Sequence, residues 1–330
     1  MNNELGKPEA NSDVLNREPK TLLIGYGWVG QFVHKYFTQA DVYSPSRGLL
    51  LSREKEGAVQ RYEFPDLPNH SHYEPFDRDK FASLEKGYNE AEQQERWEVA
   101  FISTPTPMQP NGYCDTSIVE KAVKEWAPYV DLFIVRSTVP PGTCDWLAQT
   151  YKTRVVFQPE YVGETLGHPN TEVIRDPFVI LGGKPEDTKA AARAWSKVLH
   201  PNARIRQVSS ETAELCKYME NCFLGVKVLF VNEFRQLAEN MGVDFLELRE
   251  AWLDDPRIGR SHTFAYKENP GFSGKCLPKD LNAIAVFARE FGKSPLKLIE
   301  AALQINAEMR KDVKNSVPLL PNQVKKEKIK

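Results

Sequence analysis

The sequence predicts an α/β protein, in which an N-terminal doubly wound parallel sheet is followed by an all-α central domain. Three observations carry that prediction. Short apolar runs of strand length alternate with stretches of helical spacing over residues 20–208, the pattern of βα units around a parallel sheet. A glycine turn, "GYGWVG", joins the first apolar run to the first helix. From Ser209 the alternation stops and helical spacing takes over.

Taken in order, residues 1–19 are polar and aperiodic and read as a disordered arm. "KTLLIGYGWVG" gives a strand, a turn and a helix that begins near Val29, and "ADVYSPS" gives the second strand. Residues 50–96 are charged and carry Pro65, Pro68 and Pro75, so they read as a loop with a helix around Asp79–Glu95. "WEVAFIS", "DLFIVRS", "TRVVFQ" and "FVILGG" are further strands, and "TSIVEKAVKEWA" and "GTCDWLAQTY" are helices between them. The stretch from Ser209 to Gly242 reads as one long helix, capped by serine and stopped by glycine. "SPLKLIEAALQINAEMRKDVKNS" continues the helical region to about residue 316, and residues 317–330 form a lysine-rich tail.

Bulk composition excludes several classes. At 330 residues, 41% hydrophobic and 27% charged, the chain has the make-up of a globular protein of about two domains. A formal net charge of -2 gives no pull toward nucleic acid or an anionic membrane. Lys227 interrupts the longest apolar run, and nothing approaches the roughly 20 residues that cross a bilayer. The N-terminus lacks the apolar core of a signal peptide. Five cysteines without CxxC spacing argue against a disulfide framework and a zinc site, and point to a cytoplasmic chain with reduced thiols and no metal.

Gly25, Gly27 and Gly30 form G-x-G-x-x-G, with Trp28 and Val29 opening the helix. Such glycines permit a tight turn and let a pyrophosphate approach backbone N–H groups, which makes the N-terminal half a Rossmann-like, dinucleotide-binding unit. An acid that holds the adenosine ribose is expected at the end of the second strand. Ser44 stands there instead, with Arg47 nearby, so the choice between NAD and NADP stays open.

On the long helix Lys217 and Asn221 are four apart and share a face. Both could be solvated surface residues. Leu215, Met219, Phe223, Leu224 and Val228 suggest instead that several faces of this helix are buried, which would set a cation and an amide beside an anion or oxyanion. In "GFSGKCLPKD", Cys276 is flanked by glycine, lysines and an acid, Asp280, four residues on. Lone cysteines commonly fill cores, as expected for Cys216 and Cys222; Lys275, Lys279 and the glycine-flanked backbone offer Cys276 a setting that favours a thiolate.

Seven motifs occur in one order: "GYGWVG", "STPTP" at 103–107, "RSTVPPGT" at 136–143, "PEYVGE" at 159–164, "KYMENCF" at 217–223 with "NE" at 232–233, "RIG" at 257–259, and "GFSGKCLPKD". Across residues 20–315 the chain thereby resembles the UDP-glucose/GDP-mannose dehydrogenase family. The resemblance implies a four-electron, NAD(P)-dependent oxidation of a nucleotide sugar's primary alcohol to a carboxylate, with UDP-glucose the first substrate considered. It implies that Cys276 forms a thiohemiacetal and then a thioester, and that Asp280 assists the hydrolytic water with Thr138 and Glu160. Lys217 and Asn221 would stabilise the oxyanions. Thr104, Pro105, Thr138 and Glu164 would join the glycine turn in contacting the cofactor. Tyr161, Glu160, Glu164, Phe272 and Lys279 would line the sugar nucleotide with Lys217 and Asn221, and Arg257 would lie near the sugar nucleotide or the subunit contact. It further implies a homodimer paired through residues 211–240 and 294–315, where Leu296, Leu298, Ile299, Leu303 and Ile305 exceed one buried face.

Two departures accompany the resemblance. Ser273 replaces a glycine of the usual "GFGG", and the family's C-terminal nucleotide-binding domain is not expected within a chain that reaches only Lys330. Two other activities are compatible with parts of the pattern. A two-electron β-hydroxyacid dehydrogenase shares the glycine turn and the Lys-x-x-x-Asn helix but needs no thiol, and a non-catalytic sugar-nucleotide-binding protein would not need all of Thr138, Glu160, Lys217, Asn221, Cys276 and Asp280.

Overall fold

The computed structural model describes residues 17–44, 49–51, 74–75, 96–161, 178–311 and 313. The helix expected around Asp79–Glu95 lies outside them, as do Arg47 and Glu164. The described strands, in chain order, are β1 (Thr21–Ile24), β2 (Asp41–Ser44), β3 (Leu49–Leu51), β4 (Glu74–Pro75), β5 (Val99–Ile102), β6 (Phe133–Val135), β7 (Val155–Phe157), β8 (Phe178–Gly182) and β9 (Arg204–Val208). The described helices are α1 (Trp28–His34), α2 (Ser117–Trp126), α3 (Thr143–Tyr151), α4 (Pro185–Ser196), α5 (Ser210–Met241), α6 (Phe245–Leu253), α7 (Leu277–Glu290) and α8 (Lys297–Met309).

The strands form one sheet in the order β4-β3-β2-β1-β5-β6-β7-β8-β9. From β2 to β7 every pairing is parallel, with Leu23 opposite Val42 on one side and opposite Phe101 on the other. The β7–β8 pairing is antiparallel, β8 and β9 are again parallel, and β3 and β4 extend the other edge antiparallel. The chain leaves β1 to one side and returns on the other at β5, so β1 and β5 flank the crevice where the winding reverses.

Both faces of the sheet are covered, which is why its strands read as continuous apolar runs. Leu22, Ile24, Ile102, Phe133 and Phe157 pack against α2 and α3, including Val119, Trp126 and Leu147. The alternate residues Leu23, Phe101, Ile134 and Val156 pack against α1 and α4, including Val33, Phe37 and Trp195. A third core, with Tyr218, Leu229, Phe272, Leu281 and Leu303, lies among α5, α7 and α8.

The long helix is bounded as its sequence predicts. Ser209 Oγ accepts from the Thr212 N–H at 3.2 Å, and Gly242 closes the C-terminus in the left-handed region at φ 70°. Its apolar residues meet the expectation only in part. Val228 is buried and Leu224 half-buried, but Leu215, Met219 and Phe223 are 50%, 75% and 63% exposed, and with Phe230, Phe234 and Leu237 they form an open apolar stripe along the helix. Asn221, Val228 and Asn232 are buried because this helix packs one flank on α7, while among the described residues the stripe is left largely uncovered. α8 differs from its expectation in the opposite sense. Ile299 and Leu303 are buried and Leu296 and Ile305 pack partly against the same core, leaving Leu298 exposed. Among the described residues, no helix is long and apolar enough to cross a membrane.

The long helix is also seated on the sheet. A Cβ on Gly182, at the end of β8, would stand 2.4 Å from Ala213 Cβ and 2.8 Å from the Ser209 carbonyl oxygen. Gly182→Ala is therefore expected to lower the unfolding free energy by about 1–3 kcal/mol, the usual range for overpacking, read as a lower denaturation midpoint in urea.

Candidate active site

Two clusters stand out, one on the sheet and one on the helical part. The first is the glycine turn at the crevice between β1 and β5. Gly25 adopts φ 91°, and its absent side chain would stand 2.8 Å from the Ser103 carbonyl. A Cβ on Gly30 would meet the Gly25 carbonyl at 2.2 Å, so this glycine lets α1 close against the turn. Gly27, just ahead of α1, faces open space, with nothing within 4 Å of a Cβ. These are the three separate requirements of a pyrophosphate cradle: tight turn, close ligand approach and close helix packing. Across the crevice, the buried hydroxyls of Ser103 and Thr104 have no hydrogen-bond partner among the described residues, so polar capacity is available beside the turn. The residues present fit a dinucleotide. Ser44 ends β2, next to Tyr43, whose carbonyl accepts from the Gly25 N–H at 2.9 Å. Trp28 and Val29 open α1, and Pro105 is exposed beyond Thr104.

The second cluster surrounds Asp280. This carboxyl is 1% exposed in the first turn of α7, and Asn221 Nδ2 donates to its Oδ2 at 2.6 Å. Lys279 forms an ion pair with the other carboxylate oxygen and donates to Thr106 Oγ1 at 3.4 Å. Thr106 Oγ1 in turn donates to the Thr138 carbonyl at 2.9 Å. One polar chain thus runs from the long helix through α7 to the "STPTP" and "RSTVPPGT" segments. Burial is the largest single influence on Lys279 and opposes its charge, but the Asp280 carboxylate, by charge and hydrogen bond, together with the Cys114 and Cys276 thiols outweighs it and holds the ammonium above its ordinary pKa. Cys276 is exposed at the N-cap of α7, and its carbonyl accepts from the Asp280 N–H at 2.8 Å. The positive end of the helix dipole favours negative charge at that position.

The remaining expected residues are arranged less simply. Lys217 is largely buried, pairs with Glu220 at 3.3 Å and stands 4.9 Å from the centre of the Tyr161 ring. The Tyr161 hydroxyl lies 3.8 Å from Cys216 Sγ, and burial first, then the neighbouring Cys216 and Glu220, push its pKa well up, so it is a neutral phenol. Glu160 forms a buried ion pair with Arg136, whose Nε and Nη1 have no partner among the described residues. One expectation needs correcting. Phe272 lies in the third core, 3% exposed, with its N–H donating to Asn306 Oδ1 at 2.7 Å, so its side chain is packing rather than an open sugar contact. Arg257 is 86% exposed and bound to Asp255, two residues away; it lies outside both clusters of this chain, at a surface position that suits the other place expected for it, a subunit contact. Cys222 is buried, as its core role required, and burial first and then Asp280 push its thiol up to about 12.

Several participants escaped the sequence reading. Thr106 sits inside the "STPTP" motif, but nothing in its spacing marks its hydroxyl as the bridge to Lys279. Glu214, three residues before Lys217 on the same helical face, is fully buried and accepts from the Gly142 N–H at 2.6 Å and the Cys144 N–H at 2.9 Å. Cys114 approaches the Thr138 carbonyl at 3.5 Å, and its thiol is raised chiefly by burial.

A doubly wound sheet with a fitted pyrophosphate turn, beside a charged helix-borne cluster, is the architecture of a dinucleotide-binding protein. Residues 80–200 match the NAD binding domain of the UDP-glucose/GDP-mannose dehydrogenase family, and residues 211–308 match its central domain. The chain belongs to that family. It is 28% identical over 219 residues to a UDP-glucose 6-dehydrogenase of Rickettsia prowazekii, a match covering 64% of this chain and 49% of that protein. It is 30% identical over 242 residues to a UDP-glucose 6-dehydrogenase of Rickettsia bellii, covering 70% of this chain and 53% of that one. The structure of a UDP-glucose dehydrogenase from Pyrobaculum islandicum superimposes with a TM-score of 0.66 at 26% identity, covering 92% of this chain and 70% of that one. The chain spans about half the length of the curated relatives it matches.

Burial raises the Glu214 carboxyl from 4.5 to about 7, against the opposing pull of the Cys144 and Gly142 N–H groups. The folded chain therefore binds this proton more tightly than the unfolded chain, so the contribution is complete below about pH 4.5 and is lost as pH rises through about 7. Glu214→Gln should remove a slope on the order of 3 kcal/mol between those limits. Urea unfolding at both ends of the range should show the variant's stability rising relative to wild type as pH increases.

Proposed function

We propose that the chain is the cofactor-binding and catalytic part of a nucleotide-sugar 6-dehydrogenase, oxidising a primary alcohol to a carboxylate, with UDP-glucose as the first substrate. In this reading residues 20–208 hold the cofactor and residues 209–316 supply the reacting side chains. The observation that carries it is the buried Asn221–Asp280 hydrogen bond beside an exposed Cys276 at the start of α7. A two-electron alcohol dehydrogenase has no use for that thiol.

NAD, when bound, supplies the hydride acceptor. In this reading Lys217 and Asn221 supply the N–H donors that stabilise negative charge on the sugar oxygen as its proton leaves. Cys276 sulfur adds to the carbonyl carbon of the resulting aldehyde, forming a C–S bond. Loss of a second hydride from that carbon leaves a thioester, an activated acyl group. Asp280, held by Asn221 and Lys279, takes a proton as water attacks the acyl carbon; the C–S bond breaks, the thiolate leaves and a carboxylate forms. Thr138 and Glu160 help to place that water. The balance is one alcohol, one water and two oxidised cofactors giving one carboxylate, two reduced cofactors and three protons.

A panel of nucleotide sugars, tested with each cofactor and followed by reduced-cofactor absorbance and product mass, is the direct test. UDP-glucose should give two reduced cofactors per sugar and an acid carrying one oxygen from isotope-labelled water. Cys276→Ala should fold and bind cofactor while forming no acid. One reduced cofactor per sugar with a stable carbonyl product would identify a hydroxyacid-type dehydrogenase instead.

The end of the second strand bears on cofactor choice. Ser44 lacks the charge that repels a 2′-phosphate, and Arg47 could make a charge-assisted contact with it. Such a bond contributes about 1.5–3 kcal/mol, so NADP should be accepted at least as well as NAD. Arg47→Ala should lower kcat/KM for NADP more than for NAD; equal losses would make Arg47 an adenine cover.

Assembly follows from the open stripe on the long helix. Leu215, Met219 and Phe223 recur at four-residue spacing on one side of α5, and a second copy of the chain would bury them against the same residues in a two-fold pairing. Light scattering at micromolar concentration should report a homodimer, and Phe223→Lys should shift it toward monomer.

A further inference from the structure

Helix α3 starts at a left-handed glycine, Gly142 at φ 89°, and no side chain of its own segment caps it. An uncapped helix end leaves backbone N–H groups without partners. Here a different helix supplies the cap. The Glu214 carboxylate reaches across from α5, with Oε2 accepting from Gly142 and Oε1 from Cys144 at 2.6 and 2.9 Å. The turn it grips contains Thr138, whose carbonyl is fixed at the other end by Thr106 Oγ1 at 2.9 Å, while Ser137 Oγ donates to the Thr104 carbonyl at 2.7 Å.

Glu214 precedes Lys217 by three residues and Asn221 by seven, so the three side chains leave one face of one helix. Around the carboxylate stand Asp145 and the Cys144 thiol on α3, and the Tyr218 hydroxyl on α5, all buried or partly buried. Asp145 is itself held by Ser210 Oγ at 2.7 Å, a second tie between the same two helices. A carboxylate in full burial is costly unless its hydrogen bonds are retained, so this placement needs a role beyond filling space.

We propose that Glu214 is a positioning residue of the reaction, locking the turn that carries Thr138 in register with the helix face that carries Lys217 and Asn221. The inference rests on the dehydrogenase reading above, in which Thr138 helps to place the hydrolytic water. Glu214 touches neither the substrate nor the reacting atoms in this scheme. Its loss should therefore slow the step that needs the water more than the steps before it.

The test compares wild type, Glu214→Gln and Glu214→Ala with UDP-glucose and NAD. In Glu214→Ala, the rapid first formation of reduced cofactor should survive, while steady-state kcat falls on the order of tenfold to a hundredfold, the scale of a misplaced catalytic group. KM for UDP-glucose should stay within about twofold, and intact-protein mass should show a covalent adduct accumulating on Cys276. Glu214→Gln keeps one acceptor and should recover part of kcat. An unchanged kcat, or a loss of kcat with no accumulated adduct in a wild type that does make acid, overturns the proposal. Amide exchange of residues 137–144 gives a readout independent of turnover: protection at Gly142 and Cys144 should drop in Glu214→Ala while β6 and α2 keep theirs. Unchanged protection overturns the tie. If Glu214→Ala does not fold, the near-isosteric Glu214→Gln carries both measurements. A wild type that makes no acid from any nucleotide sugar sinks the dehydrogenase reading, and the exchange result then decides the tie alone.

Discussion

The arrangement depends on what is done with the Asp280 carboxyl. An ionised carboxylate almost wholly removed from water is unfavourable by several kcal/mol unless it is paired and hydrogen-bonded. Asp280 is satisfied from two directions, by Asn221 on the long helix at 2.6 Å and by the neighbouring Lys279. Lys279, itself mostly buried, then requires a further acceptor and finds Thr106, on the segment that follows β5. Each burial forces the next contact, and the chain of obligations ends at the sheet. The polar link between the helical part and the α/β part is thus the same set of groups that the proposed chemistry uses. Apolar packing among α5, α7 and α8 supplies the area, but it is non-directional; the hydrogen bonds set the register.

The long helix carries three jobs on separate strips of its surface. Its first turns rest on β8, close enough that Gly182 can bear no side chain. One flank presents Glu214, Lys217 and Asn221 toward the site, and the other presents the open apolar stripe of Leu215, Met219 and Phe223. Residues four apart stay on one strip and residues two apart fall on different strips, so the jobs interleave in sequence while remaining separate in space. Lys227 extends this use, donating to the Ile258 and Gly259 carbonyls at 3.0 and 2.8 Å and pinning the turn beside Arg257.

Much of this was legible because it is periodic or local. Strand and helix alternation, the serine cap at Ser209 and the stop at Gly242 each follow from spacing or from one residue's conformational preference. The glycine turn was legible for the same reason: its three glycines answer three distinct steric demands within six residues. The Lys217–Asn221 spacing placed both side chains on one strip, but periodicity could not say whether the apolar residues between them were covered. Leu215, Met219 and Phe223 were read as buried because hydrophobic character was visible and the absence of a covering element was not. Phe272 failed for a related reason. Its neighbours are glycines and a reactive-looking cysteine, yet its own ring turns inward, where a missing side chain at Gly225 leaves room near it. Glu214 and Thr106 were invisible because their partners lie 70 or more residues away for one and 32 for the other.

A comparison of the buried carboxylates bears on how such a site is built. Asp280 has a cation beside it, whereas Glu214 is held by two backbone N–H donors, the Cys144 thiol and the end of a helix dipole, and burial raises its pKa to about 7. Burial outweighs two good hydrogen bonds when no full positive charge is near. Glu160 is of the first kind, since Arg136 is packed against it. The two carboxylates assigned to handling water in the proposed chemistry thus each have a side-chain cation packed against them. The carboxylate that grips backbone is held by the Gly142 and Cys144 N–H groups instead, and a proton lost or gained there leaves its oxygens still able to accept. The contacts at Asp280 and Glu160 are between charged side chains, whereas those at Glu214 fix the start of a helix to its neighbour through peptide dipoles.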